Sequence, residues 1–290
     1  MMPMRTEHTF LAPAKINLFL HITGRRVDGY HTLQSVFQLL DFYDTIHLSV
    51  RDDGQVMHNN PLPNVPAESD LCVRAARALQ QATDCKLGVN ITLEKRIPMG
   101  GGLGGGSSDA ATMLLALNQL WSLQLSRQQL MQIGLTLGAD VPVFIFGQTA
   151  WAEGVGEELT AIELPASMLS KTYLVLTPNE NVATAQIFAN SRLTRDTKPL
   201  KIADFSSQAN SNLFRNDLEN VVCEEFPSVA TTLKWLNQFG QARMSGSGAS
   251  VFVSVNSEQE AVELLAKKPT NTSGFIAKGI QYHPHFKLAN

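Results

Sequence analysis

Pro98-Met99-Gly100-Gly101-Gly102-Leu103-Gly104-Gly105-Gly106-Ser107-Ser108-Asp109 is the stretch on which the reading of this chain turns. Six of the seven residues from Gly100 to Gly106 are glycine. Glycine loses the most backbone entropy on ordering, so such a run is unfavourable inside a strand or helix. It suits a backbone that turns tightly and presses its N–H groups against a ligand. A helix starting immediately afterwards supplies further free N–H groups and the positive end of its dipole. Together these features make an anion site suited to phosphate. No Gly-Lys-Ser/Thr follows, so it is not a Walker loop. Gly100, Gly102 and Gly105 fit G-x-G-x-x-G, but a dinucleotide site wants an acidic residue roughly 20 positions on. No Asp or Glu lies between Asp109 and Asp140. A flexible linker is the bland alternative; the flanking strand and amphipathic helix weigh against it.

Before the loop, Val89, Ile91 and Leu93 alternate with polar residues, a strand pattern ended by Pro98. After it, a helix is predicted from about Ser108 to Trp121, with Ala110, Met113, Leu114, Leu117, Leu120 and Trp121 on its apolar face. Ser126 to Gln129 has capping-box spacing and opens a helix that Gly138 closes. Val141 to Phe146 reads as a short apolar strand. Further out, Leu11 to Ile22 is an extended apolar segment, Gly24 to His31 a loop, and Thr45 to Val50 a strand. Asp52 to Pro66 is a surface excursion, and Ser69 or Asp70 caps the next helix. Beyond residue 165, Thr172 to Leu176 and Val251 to Val255 read as strands, and 190–211 as irregular. Asn220 to Phe239 reads as two helices broken near Pro227, and a second capping box at Ser257 opens a helix ending before Pro269. Strands and helices alternate in both halves, which reads as two α/β-type domains, 1–160 and 161–290.

The 290 residues carry a net charge of −3, with 44% hydrophobic and 17% charged residues, as in an ordinary globular protein. There is no global basic field for nucleic acid. No apolar run approaches the roughly 18 residues of a membrane span. The polar start, Met1 to His8, does not read as a signal peptide. Cys72, Cys85 and Cys223 form no CxxC pair and read as small buried thiols of a cytoplasmic protein. No obligate protein partner is implied.

Gly100 to Ser108 resembles the phosphate loop of the GHMP kinases. Pro13-Ala14-Lys15-Ile16-Asn17-Leu18 resembles the first motif of that family, and Met244 to Phe252 the third. Arg26 to Leu33, Gly138 to Phe144 and Asn216-Asp217-Leu218-Glu219 resemble most the branch whose acceptor is a cytidine diphosphate-linked methylerythritol. The motifs run from residue 13 to 252. The resemblance implies an α+β, two-domain fold with the active site in the cleft between domains. It also implies ATP as phosphoryl donor, Mg²⁺ as its counter-ion, and a small-molecule alcohol as acceptor in isoprenoid precursor synthesis.

Residue by residue, the resemblance makes Asp140 the base that takes the hydroxyl proton; on its own it reads as a turn aspartate. Lys15 lies in an apolar strand, where a lone ammonium is unfavourable unless paired. Pairing with Asp140 would relieve that and place positive charge near the reacting oxygen; an edge-strand lysine facing solvent is the alternative. Asn17, two residues on, shares its face, where it could hydrogen-bond the acceptor or merely close a turn. Pro98 to Ser108 would hold ATP, with Ser107 and Ser108 touching phosphate or capping the helix. Tyr30 and His31 match the family's cytidine-recognising pair, the ring stacking and the imidazole bonding the base edge with donor and acceptor nitrogens. Phe188 stands as the second stacking aromatic, or as a core residue. No metal ligand is identifiable, and His283-Pro284-His285 reads as a solvated tail. Asp70 stands where the family has Asn. Three other readings stay open: another GHMP kinase, which Tyr30-His31 disfavours; a non-catalytic nucleotide-binding protein, which Lys15 with Asp140 disfavours; and a nicotinamide oxidoreductase, which the missing ribose acid disfavours.

Overall fold

The computed structural model describes residues 6–63, 65–169, 171–207 and 214–290. The chain opens with two long strands, β1 (His8–Arg25) and β2 (His31–Arg51), and a short one, β3 (Val56–His58). Helix α1 (Leu71–Thr83) and strand β4 (Gly88–Glu94) lead to the glycine loop. Three helices follow, α2 (Gly105–Leu120), α3 (Arg127–Leu135) and α4 (Val141–Phe146), then a hairpin of β5 (Ala150–Glu153) and β6 (Glu158–Ala161). Next come α5 (Ala166–Leu169), β7 (Thr172–Pro178), α6 (Thr184–Ala189) and α7 (Ile202–Ser207). The last part holds α8 (Glu219–Glu225), α9 (Pro227–Leu236), β8 (Arg243–Met244), β9 (Val251–Val255), α10 (Glu258–Ala266) and β10 (Thr272–Ile280).

The strands form one ten-stranded sheet, ordered β3-β4-β2-β10-β7-β9-β8, with β1 and β5 also on β2 and β6 on β5. Among the described strands only β3 with β4 is a parallel ladder; the remaining ladders are antiparallel, which makes the fold α+β rather than a parallel α/β sheet. The expected join near residue 160 falls at the end of β6. The sheet nevertheless runs across it, because Gly279 and Ile280 of β10 pair with Leu40 and Leu39 of β2. Apolar packing crosses too: Ile16, Phe19 and Trp151 share a buried cluster with Phe205, Phe214 and Phe252.

Several sequence expectations are corrected. Val141–Phe146 is a helix, not a strand. Pro142 stands in its first turn, where a fixed φ and a missing N–H do no harm, and Gly147 closes it at φ +74° with its N–H bonded to the Val143 carbonyl. A short apolar run buried all round has no periodicity to separate the two forms. Helix α2 starts at Gly105, three residues early, so two glycines lie in its first turn. Helix α3 ends at Leu135 with Thr136 as its cap, before Gly138. Strand β2 begins at His31 and is far longer than Thr45–Val50. The span 190–211 contains α7, and its last four residues lie outside the described residues; so do Met1 to Arg5 of the polar start. Cys72 is buried, but Cys85 and Cys223 are only partly so. His283 is not solvated: it is 2% exposed beneath α2, because the final segment folds back onto the first half.

Candidate active site

Strand β1 places the first pair of residues. It carries register shifts between Pro13 and Lys15 and between Asn17 and Leu20. Bulges bend a strand and re-aim its side chains. Between the two shifts the pairing is regular, Lys15 opposite Leu39 and Asn17 opposite Phe37, so both side chains leave one face. Lys15 is 2% exposed. Its Nζ donates to Asn17 Oδ1 at 2.7 Å and to the Gly102 carbonyl at 3.0 Å, and stands 3.4 Å from Asp140 Oδ2. Asn17 is itself fixed, since its Nδ2 donates to Ser35 Oγ at 2.8 Å. Asp140 sits at the N-terminus of α4, and its side chain keeps 40% exposure toward the cleft.

The glycine loop wraps around this pair. Gly100, Gly102 and Gly104 have φ of +69°, +73° and +71°, conformations that side chains rarely adopt. At Gly102 space is also closed: a Cβ would lie 2.1 Å from the Ser245 carbonyl oxygen. Gly104 ends the loop as the residue before α2, with no side-chain cap. The first N–H groups of α2 are therefore available to an anion.

The third glycine-rich segment clamps the loop from the far side. Ser245 Oγ donates to the Gly102 carbonyl at 2.9 Å, and Ser250 N–H donates to the Gly101 carbonyl at 3.0 Å. The Asn216 to Glu219 motif holds that segment in place. Asn216 Nδ2 donates to the carbonyls of Met244 and Gly246, and Glu219 Oε2 accepts from Met244 N–H. Asp217 accepts from Ile22 N–H of β1. None of these positioning contacts was read from the sequence beyond the match of the motif itself.

Three cavities lie end to end along this surface. The first, about 340 Å³, is lined by Leu62, Val65, Leu71, Leu93 and Met99 with Lys95 and Asp109 behind the loop. The second, about 370 Å³, holds Lys15, Asn17, Asp140, Ser107 and the loop glycines. The third, about 540 Å³, is lined by Tyr30, His31 and Phe188. The first two share Gly100, Gly102 and Ser107; the last two share Leu33, Ala139, Val155, Thr184 and Phe188. The sequence-predicted residues thus come together in one trough. Tyr30 is 66% exposed at its rim, and the rings of His31 and Phe188 stand 5.2 Å apart, tilted by 38°. Ser108 behaves differently from Ser107: it is fully buried, and its Oγ has no hydrogen-bond partner among the described residues.

Sequence reasoning missed a buried cluster under the loop. Lys95 Nζ bonds both Asp44 Oδ2 and Asp109 Oδ2, the latter at 2.7 Å. Asp44 Oδ1 also accepts from the N–H groups of Arg96 and Ile97, fixing the entry to the loop. Burial, with Asp44 as a second negative neighbour, drives the Asp109 carboxyl upward against the pull of Lys95. Asp70 caps α1 by accepting from Cys72 and Val73 N–H and pairs with His58 Nδ1 at 3.0 Å. No signal short of a three-dimensional contact links residues 44, 95 and 109.

A cleft with a glycine-rich loop and a helix start at one end, a lysine–aspartate pair at its middle and an aromatic pocket at the other has the layout of a small-molecule kinase of the GHMP class. Residues 70–148 match the GHMP kinases N terminal domain and residues 188–268 the GHMP kinases C terminal. The chain is 54% identical, over 99% of both lengths, to the 4-diphosphocytidyl-2-C-methyl-D-erythritol kinase of Herminiimonas arsenicoxydans. It is 56% identical to the enzyme of that name from Thiobacillus denitrificans, over 96% of this chain and 97% of the relative. A crystal structure of a 4-(cytidine 5'-diphospho)-2C-methyl-D-erythritol kinase superposes with a TM-score of 0.77 at 32% identity, over 95% of this chain and all of that one. A mevalonate kinase shares the fold at 16% identity and a TM-score of 0.69. The chain belongs to the 4-diphosphocytidyl-2-C-methyl-D-erythritol kinase family, a branch of the GHMP kinases.

Proposed function

We propose that this protein transfers the γ-phosphoryl group of ATP to the 2-hydroxyl of 4-diphosphocytidyl-2-C-methyl-D-erythritol, giving the 2-phosphate and ADP, in isoprenoid precursor synthesis. The observation that carries the mechanism is the Lys15–Asp140 pair, placed between the phosphate loop and the Tyr30–His31–Phe188 cavity. The first cavity takes the adenosine against its apolar wall. The loop N–H groups and the start of α2 take the phosphates. The cytosine end lies against Tyr30, His31 and Phe188, leaving the acceptor hydroxyl at Asp140.

Phosphoryl transfer is mostly a matter of positioning and charge stabilisation. Asp140, exposed to the cleft, accepts the proton that the hydroxyl releases as its oxygen attacks phosphorus. Lys15, held by Asn17 and the Gly102 carbonyl, keeps that carboxylate in place and offsets negative charge on the attacking oxygen. Mg²⁺ keeps several waters and binds mainly to phosphate oxygens, with one or two protein donors. Among the described residues no group of three or more His, Cys, Asp or Glu could cage a metal. The ion would come with ATP, and Ser107, which lines the central cavity beside the loop glycines, would be its protein donor. Its role there would be to neutralise phosphate charge. The division of labour follows the chain. Residues 1–160 hold the nucleotide and most of the acceptor cavity, and 161–290 add Thr184, Ala185, Phe188 and Ala189 to it. We place the protein in the cytoplasm, which the absence of a long apolar helix among the described residues permits.

Incubation with ATP, Mg²⁺ and the diphosphocytidyl acceptor, read by phosphorus NMR, tests this reading. A new phosphomonoester in step with ADP is expected, and Asp140→Asn is expected to lower kcat by about 10² to 10⁴. ATP binding without turnover would discard this acceptor.

A further inference from the structure

His31 is 8% exposed at the start of β2. Its Nε2 faces Arg195, whose Nε donates to it at 2.9 Å. A guanidinium is always charged and carries donors only, so Nε2 must hold a lone pair. Arg195 is itself tied down. One terminal nitrogen donates to the Leu193 carbonyl at 2.9 Å, and the other to the carbonyls of Phe188 and Asn190 at 3.1 and 2.7 Å. Four N–H groups thus point in fixed directions, and the imidazole cannot reverse its half of the contact. A neutral imidazole has one proton, which is therefore on Nδ1. Burial, then the charges of Arg195 and Arg25, hold His31 below its ordinary pKa and oppose a second proton. Nδ1 makes no hydrogen bond among the described residues, and the ring leans on Phe188 in the third cavity. The sequence left His31 as both donor and acceptor; the contact with Arg195 leaves it a donor alone.

We infer that Arg195 is a specificity-setting positioning residue: by fixing His31 as an Nδ1–H donor, it makes the pocket accept a pyrimidine with a lone pair at N3 and reject one with N3–H. Cytosine has that lone pair and uracil does not. With uracil two donors would face each other, each losing its water, and sites built around one hydrogen bond discriminate strongly against a ligand that cannot make it. This inference rests on the reading of the acceptor as a cytidine diphosphate-linked alcohol.

The test compares kcat and KM of the full-length protein for cytidine- and uridine-diphosphate-linked methylerythritol, with nitrogen NMR of ¹⁵N-histidine-labelled protein to read the His31 tautomer. The wild type is expected to carry the proton on Nδ1 and to favour the cytidine acceptor. Arg195→Met is expected to cut the cytidine-to-uridine ratio of kcat/KM at least tenfold, chiefly through KM. Arg195→Lys, which keeps a donor-only cation, should restore part of the ratio. Arg195 also anchors Phe188, so a merely structural role would weaken both substrates alike; an unchanged ratio overturns the inference. So does a wild-type proton on Nε2, a measurement that needs no variant. A wild type inactive on the cytidine acceptor would overturn the functional reading itself, and the inference with it.

Discussion

Only 3% of the Lys15 side chain meets water, and each of its contacts has a job. Asn17 Oδ1 and the Gly102 carbonyl take two of its protons, and Asp140 stands nearby as the counter-charge. Removing the ammonium leaves those oxygens facing each other without a donor. Lys15→Met is therefore expected to lower kcat by about 10² to 10³, with ATP affinity changed only a few-fold because the loop N–H groups are untouched. Steady-state kinetics and calorimetric titration with ATP check both halves. At this scale legibility depended on chain distance. Lys15 and Asn17 stand two apart on a strand, so their shared face follows from pattern alone. Asp140 needed a family motif, since nothing local distinguishes it from a turn aspartate. Arg195 with His31, and Lys95 with Asp44 and Asp109, were invisible, because each contact closes over 14 to 164 residues and leaves no local mark.

The elements that carry the site are joined by close backbone approach rather than by side-chain packing. The glycine loop lies between β1, whose Lys15 N–H bonds the Leu103 carbonyl, and the Ser245–Ser250 segment. Gly102→Ala would place a Cβ 2.1 Å from the Ser245 carbonyl and force φ +73° on a side chain. Backbone must move, which is expected to weaken ATP binding at least tenfold and destabilise the protein by about 1–3 kcal/mol. Gly106 makes the contrast. It lies in the first turn of α2 without a positive φ, and a Cβ there meets only the end of the Leu71 side chain at 3.1 Å. Gly106→Ala is expected to hold or raise thermal stability, since alanine favours helix over glycine by about 1 kcal/mol. Melting curves for the two variants, each with and without ATP, distinguish a requirement at single positions from a general need for flexibility. The elements most readable in advance were those with caps: Asp70, Ser126 and Ser257 each begin a helix as expected. Helix α4 was misread because Val141 to Ile145 are all buried, so five successive residues leave no exposed face to declare a period.

Across the whole molecule, the two halves are tied by the β2–β10 pairing and by the returning C-terminal segment. That segment puts a histidine where water does not reach. His283 Nδ1 accepts from the His285 N–H at 3.0 Å, so its proton is on Nε2, which lies 3.2 Å from Thr112 Oγ1 of α2. Arg127 stands close by, donating to the Ala289 carbonyl and stacking over Phe286 at 4.3 Å. Burial first, then His285 and Arg127, push the His283 pKa down to about 3. The sign of the linkage follows. In the unfolded chain the imidazole takes a proton near pH 6.5, while in the folded protein it stays neutral until near pH 3, so protons bind the unfolded state preferentially between those values. The stability this group contributes is whole above pH 6.5 and is lost as pH falls. By pH 5 the unfolded chain has gained about 2 kcal/mol from this one site relative to pH 8. Carboxylates titrate over the lower part of that range, so the term has to be read as a difference. Urea unfolding of the wild type and His283→Gln from pH 8 to pH 5 should show the wild type losing about 2 kcal/mol more than the variant, whatever the variant's starting stability. Parallel curves would mean that the segment opens and hydrates at low pH before the domain unfolds, and that the tie between the halves is looser than its buried contacts imply.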